Sequence, residues 1–324
     1  GSDEASLVYQ GPTQADYGDA YELKMNDPGN WSDFIAFLEF LNTSSDGDFE
    51  ALLGTHLDLQ PYLRSAALDN LFANLDSYTL SARNYYLYQN TTIGRWQWIK
   101  WDCNETFGSY AMGVPGPMTE LDVTFDGGNY ERPLLQRILA SDALRADYLA
   151  EICDLRDTYF NSAYLDPRLD ALKALIETAV YADGNKMYSN ADFDANFDSD
   201  LGGGGPGGGG GPGGSLYGLK PFVAERADFV NEEVDCTELS ISDAIKLPPL
   251  IVYPNPTNGR VTLAWNATGE RPTIEVYDLR GQLVRTIYTT SQQSSYDLNL
   301  PSGLYVLNCP EWGADAAVKL HITP

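Results

Sequence analysis

The stretch from Asn74 to Gly108, NLDSYTLSARNYYLYQNTTIGRWQWIKWDCNETFG, holds the residues best suited to chemistry. A polar turn carries Asp76, Ser77 and Ser81, and Asp102 follows 26 residues after the first aspartate, with Asn104 just beyond. Between them, aromatic runs at Asn84–Tyr88 and Trp96–Trp101 flank a polar Asn90–Gly94 turn, a pattern that predicts a β-hairpin. A hairpin folds its ends together, so Asp76, Asn84 and Asp102 can converge. Convergent Asp and Asn side chains offer hard oxygen ligands, which suit magnesium holding a phosphate chain. A carboxylate left off the metal could orient an attacking hydroxyl or accept its proton. The competing reading is an ordinary aromatic hairpin with turn-forming Asp and Asn at its ends.

Composition limits the alternatives. The 324 residues include 46 acidic and 20 basic side chains, a formal net charge of -26. Nucleic acid and anionic membrane surfaces both ask for a basic footprint, which this chain lacks. A hydrophobic share of 43% argues against disorder throughout. The two histidines, His56 and His321, lie far apart, so chemistry built on a histidine pair starts poorly. No apolar run reaches the length of a membrane-spanning helix. The opening Gly1-Ser2-Asp3-Glu4 reads as a cloning remnant or a cut edge, so the absence of a visible signal peptide says nothing about destination.

The elements that must position the site divide into two textures. Residues 1–235 read as one mainly helical domain, 236–248 as a linker and 249–324 as a strand-rich module, with Pro248-Pro249 at the boundary between the last two. Residues 249–324 carry five basic and six acidic side chains, so the acidity belongs almost wholly to the first domain. Within that domain the glycine-rich stretch 202–214 reads as a flexible loop, because it lacks the flanking strand, helix and lysine of a phosphate cradle. Helical spacing predicts one helix through Phe34, Ile35, Leu38 and Leu41, and another from Pro61 through Leu71. One or two more are expected between Leu134 and Phe160 with a break at Ser141-Asp142, and a short one over Ala224–Val230. Asp166-Pro167 has the order of an N-cap and first helical residue, followed by a core stripe of Leu169, Leu172, Ile176 and Val180. The acidic run Asp192–Asp200 resembles a calcium loop only loosely, with Phe197 where glycine is required. Ser189 and Asp192 favour a capped surface helix there instead.

The order of catalytic Asp, metal-binding Asn, hairpin and metal-binding Asp is also that of protein kinases. The stretch resembles the CotH family of atypical kinases, whose members carry N-x-D-S-Y, then H-N-Y-Y-L-Y, then I-P-W-D-x-D-x-x-F-G. The matching residues are Asn74-Leu75-Asp76-Ser77-Tyr78, Asn84 to Tyr88, Trp101-Asp102 and Phe107-Gly108. The resemblance extends from Leu7-Val8-Tyr9 to the helix around Arg226. It implies an α+β fold with a mostly helical kinase-like C-terminal lobe, and Mg-ATP as phosphoryl donor to a protein substrate. Asp76 would be the catalytic carboxylate, Asp102 and Asn104 would hold magnesium, and Asn84 would contact metal or phosphate. Three positions depart from the pattern: Arg83 replaces His, Lys100 replaces Pro, and Asn104 replaces the second Asp. The family's strand-rich N-terminal part, with its lysine and lid over ATP, is expected upstream of residue 1, so this chain alone is expected to bind ATP poorly. The alternative is a non-catalytic surface protein that keeps the fold and has lost the activity.

From Leu250 onward, short apolar runs alternate with Asn258-Gly259, Arg280-Gly281 and Ser302-Gly303, which predicts a small all-β sandwich of six or seven strands. Its motifs, Tyr253-Pro254-Asn255-Pro256-Thr257-Asn258-Gly259, Val276 to Gly281 and Leu300 to Tyr305, resemble the type A sorting domain of type IX secretion. That resemblance implies recognition by an outer-membrane translocon and a secreted or cell-surface location. An extracytoplasmic route permits disulfides. Cys103 could then pair with Cys153 or Cys236, while Cys309 lies in the other module.

Overall fold

Among the described residues of the first part of the chain, five helices begin at a small polar side chain that takes up an orphan backbone N–H group: Ser45, Ser77, Ser141, Asn161 and Ser189. The computed structural model describes residues 5–24, 31–111, 113–202, 216–236, 250–253, 255, 257–265, 272–278, 280–289, 293–310 and 318–323. It separates into two units, Gly1–Ile241 and Ser242–Pro324. The glycine-rich loop and the expected linker fall almost entirely outside the described residues.

In the first unit, α1 (Ser32–Thr43) buries Ile35, Phe37, Leu38 and Leu41. A second helix, α2 (Asp46–His56), was not expected; Ser45 caps it by accepting from the Asp48 amide. Pro61 lies in the first turn of α3 (Leu59–Leu71), where its missing N–H costs nothing. The short α4 (Tyr78–Ser81) follows the turn after α3. The hairpin pairs β1 (Tyr85–Asn90) with β2 (Arg95–Lys100) antiparallel, Tyr85 opposite Lys100. The break between α5 (Pro133–Ala140) and α6 (Asp142–Thr158) falls at Ser141, whose hydroxyl accepts from the Leu144 amide. Helix α6 packs along α3.

Two expectations fail at α7, which spans Ser162–Ala182. It starts five residues before Pro167, because Asn161 is the working N-cap, accepting from the Tyr164 amide at 2.9 Å. Pro167 is carried inside the helix. The Leu169, Leu172, Ile176 and Val180 stripe is not core: no residue of α7 is buried, and Leu172 is 54% exposed. At α8 (Asn190–Ala195) the reciprocal capping box of Ser189 and Asp192 is present, as expected. Asp194 accepts from the Tyr181 hydroxyl and Asp198 pairs with Lys220, so these carboxylates already serve the surface fold. The last helix, α9 (Leu219–Glu233), is longer than expected and buries Phe222, Val223, Arg226 and Val230.

A disulfide joins Cys153 on α6 to Cys236 just beyond α9, closing 83 residues of chain, while Cys103 is an exposed thiol.

The second unit contains β3 (Leu250–Tyr253), β4 (Arg260–Trp265), β5 (Thr273–Asp278), β6 (Leu283–Tyr288), β7 (Gln293–Asp297), β8 (Gly303–Asn308) and β9 (Val318–Ile322). They form two antiparallel sheets, ordered β3-β4-β7 and β6-β5-β8-β9. Leu250, Leu263, Val276, Leu307 and Leu320 share one core between the sheets, so the unit is a sandwich. The polar strand β7 escaped the sequence reading because Gln-Ser-Ser-Tyr-Asp offers no apolar run. Asn255 of the Pro-Asn-Pro motif donates to Lys319 O and accepts from the His321 amide, so its side chain covers the outer edge of β9.

The chain-entropy model assigns a loop of this length about 4 to 5 kcal/mol of stabilisation. Reduction is therefore expected to lower the urea midpoint of the helical unit and leave that of the sandwich in place. Equal midpoints with and without reductant would contradict the assigned bridge.

Candidate active site

The site is built from a sharp turn after α3 and from the two ends of the hairpin. Five non-glycine residues in this region adopt left-handed backbone: Ala73 (φ 42°), Ala82 (53°), Asn84 (60°), Asp102 (46°) and Phe107 (58°). L-residues disfavour that region by about 1 kcal/mol or more, and such strain gathers where a side chain must be aimed. Gly108 shares it at 66°, and a Cβ there would fall 2.5 Å from the Met118 Cβ.

Asp76 is nearly enclosed. Its Oδ1 accepts from the Ser81 hydroxyl at 2.7 Å and lies 3.5 Å from Arg83 Nε. Its Oδ2 accepts from Asn84 Nδ2 at 3.0 Å, and the same amide donates to the Asp76 carbonyl at 2.8 Å. Asn84 thus spends its amino group on Asp76 and keeps Oδ1 as the atom able to meet a cation or phosphate-bound metal. The hairpin register extends one step further, because the Trp101 amide donates to Asn84 O at 3.0 Å. Asp102 therefore leaves β2 beside the residue that holds Asp76. The carboxylate of Asp102 and the side chain of Asn104 are exposed. Asp76 and Asn84 are in direct contact; Asp102 is brought alongside by backbone register alone. Among the described residues no group of three His, Cys, Asp or Glu side chains is preformed for a metal. The donors left open are one carboxylate, Asp102, and two amide oxygens, Asn84 and Asn104, a hard-oxygen set that fits magnesium sharing its coordination with phosphate oxygens.

The inward face of the hairpin explains why it docks here. Trp98 stacks on Tyr85 at 4.2 Å and meets Tyr62 and Tyr78 edge-on, while Trp96 stacks on Phe37. Buried Arg132 donates to the Tyr78 and Leu80 carbonyls, holding the turn that follows Asp76.

Residues 3–229 match the family described as CotH kinase protein. The chain belongs to the CotH family. Residues 251–322 match a secretion system C-terminal sorting domain. The chain is also similar to inner spore coat protein H of Bacillus subtilis (strain 168), 27% identical over 155 residues, which cover 48% of this chain and 40% of that protein. The sorting domain marks this CotH protein as secreted and attached at the cell surface, and no described helix is long and apolar enough to cross a membrane.

Each departure from the CotH pattern has a physical consequence. Arg83 sets a positive charge against Asp76. Asn104 lowers the charge offered to a cation. Lys100 forms an ion pair with Asp69, a carboxylate buried at the end of α3. Burial pushes the Asp69 carboxyl up from its ordinary range, and Lys100 and Asn74 pull it back. Sequence reading missed Asp69, although a clue was present: it shares the α3 face of Tyr62 and Ala66, an apolar stripe where a lone charge needs a partner.

Because Asn84 sits at φ 60° and makes two hydrogen bonds to Asp76, Asn84→Ala is expected to destabilise more than Asn84→Gly, by up to about 1 kcal/mol. Urea unfolding checks this; an alanine variant no less stable than the glycine variant would contradict the left-handed turn.

Proposed function

We propose that this exported CotH protein transfers a phosphoryl group from Mg-ATP to a protein at or beyond the cell surface. The observation that carries the reading is the Asp76–Asn84–Asp102 arrangement: an enclosed carboxylate hydrogen-bonded to an amide, with an exposed carboxylate beside it. Phosphoryl transfer is mainly positioning and charge stabilisation, and that donor set serves both. Asp76 would orient the acceptor hydroxyl and take its proton. Asp102, Asn104 and Asn84 Oδ1 would hold magnesium, which neutralises the phosphate oxygens when bound. The aligned stretch covers 40% of the spore coat relative, and the activity is proposed for the native protein as exported. Residues 249–324 would contact the translocon of the secretion system.

A specific observation favours a second reading, a non-catalytic surface protein. Both oxygens of Asp76 are engaged within the fold, by Ser81, Asn84 and Arg83. A carboxylate that already accepts two hydrogen bonds and faces a guanidinium has fewer lone pairs open to a substrate proton.

Labelled-ATP transfer by the native protein separates the two. Transfer is expected to fall at least a hundredfold in Asp76→Asn and in Asp102→Asn, while Asn104→Asp is expected to lower the magnesium concentration for half-maximal transfer severalfold. Undiminished transfer in either loss variant would remove the site assignment. No transfer by the wild type would favour the second reading.

A further inference from the structure

The two segments that carry Asp76 and Asp102 are joined by a closed circuit of contacts through one buried carboxylate. Asp69 Oδ1 pairs with Lys100 Nζ and accepts from Asn74 Nδ2 at 2.6 Å. The Asn74 amide donates to the Asp69 carbonyl at 2.7 Å, and the Ser77 hydroxyl donates to the Asn74 carbonyl at 2.7 Å. Asp76 lies inside that turn and receives Asn84 Nδ2, and Asn84 O receives the Trp101 amide. Trp101 is the neighbour of Lys100, which returns the circuit to Asp69. Asp69 is 7% exposed, and the Lys100 side chain is 24% exposed.

We infer that Lys100 and Asp69 are positioning residues: their ion pair fixes the spacing between the Asp76 turn and the Asp102 end of the hairpin. Three features carry this. The pair spans 31 residues and links two elements, α3 and β2, that have no other ion pair between them among the described residues. It is anchored in low-dielectric surroundings, where it resists salt and solvent competition far better than a surface pair. It grips each segment within a few residues of the functional carboxylate: Asn74 is two before Asp76, and Lys100 is two before Asp102. Lys100, a departure from the family pattern, thereby becomes a brace for the site. The inference rests on the phosphoryl-transfer reading for its catalytic consequence, and on geometry alone for the brace itself.

The test compares Lys100→Met, the double variant Asp69→Asn with Lys100→Met, and the conservative Lys100→Arg in the native protein. The single methionine variant leaves a buried carboxylate without its cation, so it is expected to lose stability. The double variant removes both charges and is expected to recover the wild-type urea midpoint. At that recovered midpoint, amide hydrogen exchange at residues 74–84 and 101–107 is expected to stay at least tenfold faster than wild type, with α5 and α6 unchanged. Phosphoryl transfer is expected to show kcat at least tenfold lower with KM for ATP within twofold, and Lys100→Arg is expected to restore both readouts. A double variant with wild-type exchange at both segments would overturn the brace. So would fast exchange that Lys100→Arg does not correct. If the wild type transfers no phosphate, the functional reading fails while the exchange comparison still decides the brace.

Discussion

The last turn of α3 is where the helical unit reconciles two buried charges. Asp69 places a carboxylate there and takes Lys100 from the hairpin; Asn70, the next residue, takes the guanidinium of Arg226 from α9. Arg226 is fully buried and is satisfied mainly by oxygens, donating to Asn70 Oδ1 at 2.6 Å and to Leu121 O at 2.5 Å. Burial pulls its pKa down to about 10. Isolated charges in an apolar interior would cost several kcal/mol each, so the surrounding chain has to arrange itself around their partners. The consequence is that α9, the 119–121 segment, α3 and the hairpin are fixed to one another by groups that have nowhere else to go. The site inherits that rigidity.

Much of this arrangement was legible in the residues. The hairpin, its turn and the polar turn before it follow from aromatic alternation and turn chemistry, and the helix break at Ser141 follows from one capping side chain. The rest was hidden for identifiable reasons. Asp166-Pro167 looked like a helix start because local cap chemistry is degenerate, and Asn161 offered a better one five residues earlier. The apolar stripe on α7 looked like core because spacing reports a face and not what covers it. The Cys153–Cys236 bridge needed the approach of α6 and α9, which no spacing rule encodes. Of the site, Asp76, Asn84 and Asp102 were marked by motif and hairpin logic, but the ion pair behind them was not. Lys100 registered only as a departure from the family's Pro, and Asp69 not at all.

The two units carry different loads. Nearly all of the negative charge lies before residue 249, on a surface suited to an exported protein, whereas the sandwich is close to neutral and belongs to a sorting domain. A disulfide in the helical unit agrees with that route, since such bridges persist in oxidising surroundings. Against so acidic a background, the candidate site is distinguished by position and not by charge count. Asp76 is enclosed and oriented, Asp102 is open, and Arg83 with Asn104 sets how much negative charge the pair presents.

Backbone register brings Asp102 beside Asn84, so a divalent cation held by Asp102, Asn104 and Asn84 Oδ1 would lie next to the Asp76 carboxylate. Paramagnetic broadening locates such an ion directly. With the native protein and Mn-ATP, amide resonances of residues 76–84 and 101–104 should broaden first and together, while those of α7, α8 and the sandwich stay sharp. Broadening that appears first along the acidic surface of α7 and α8, or that leaves residues 76–84 sharp, would contradict the account.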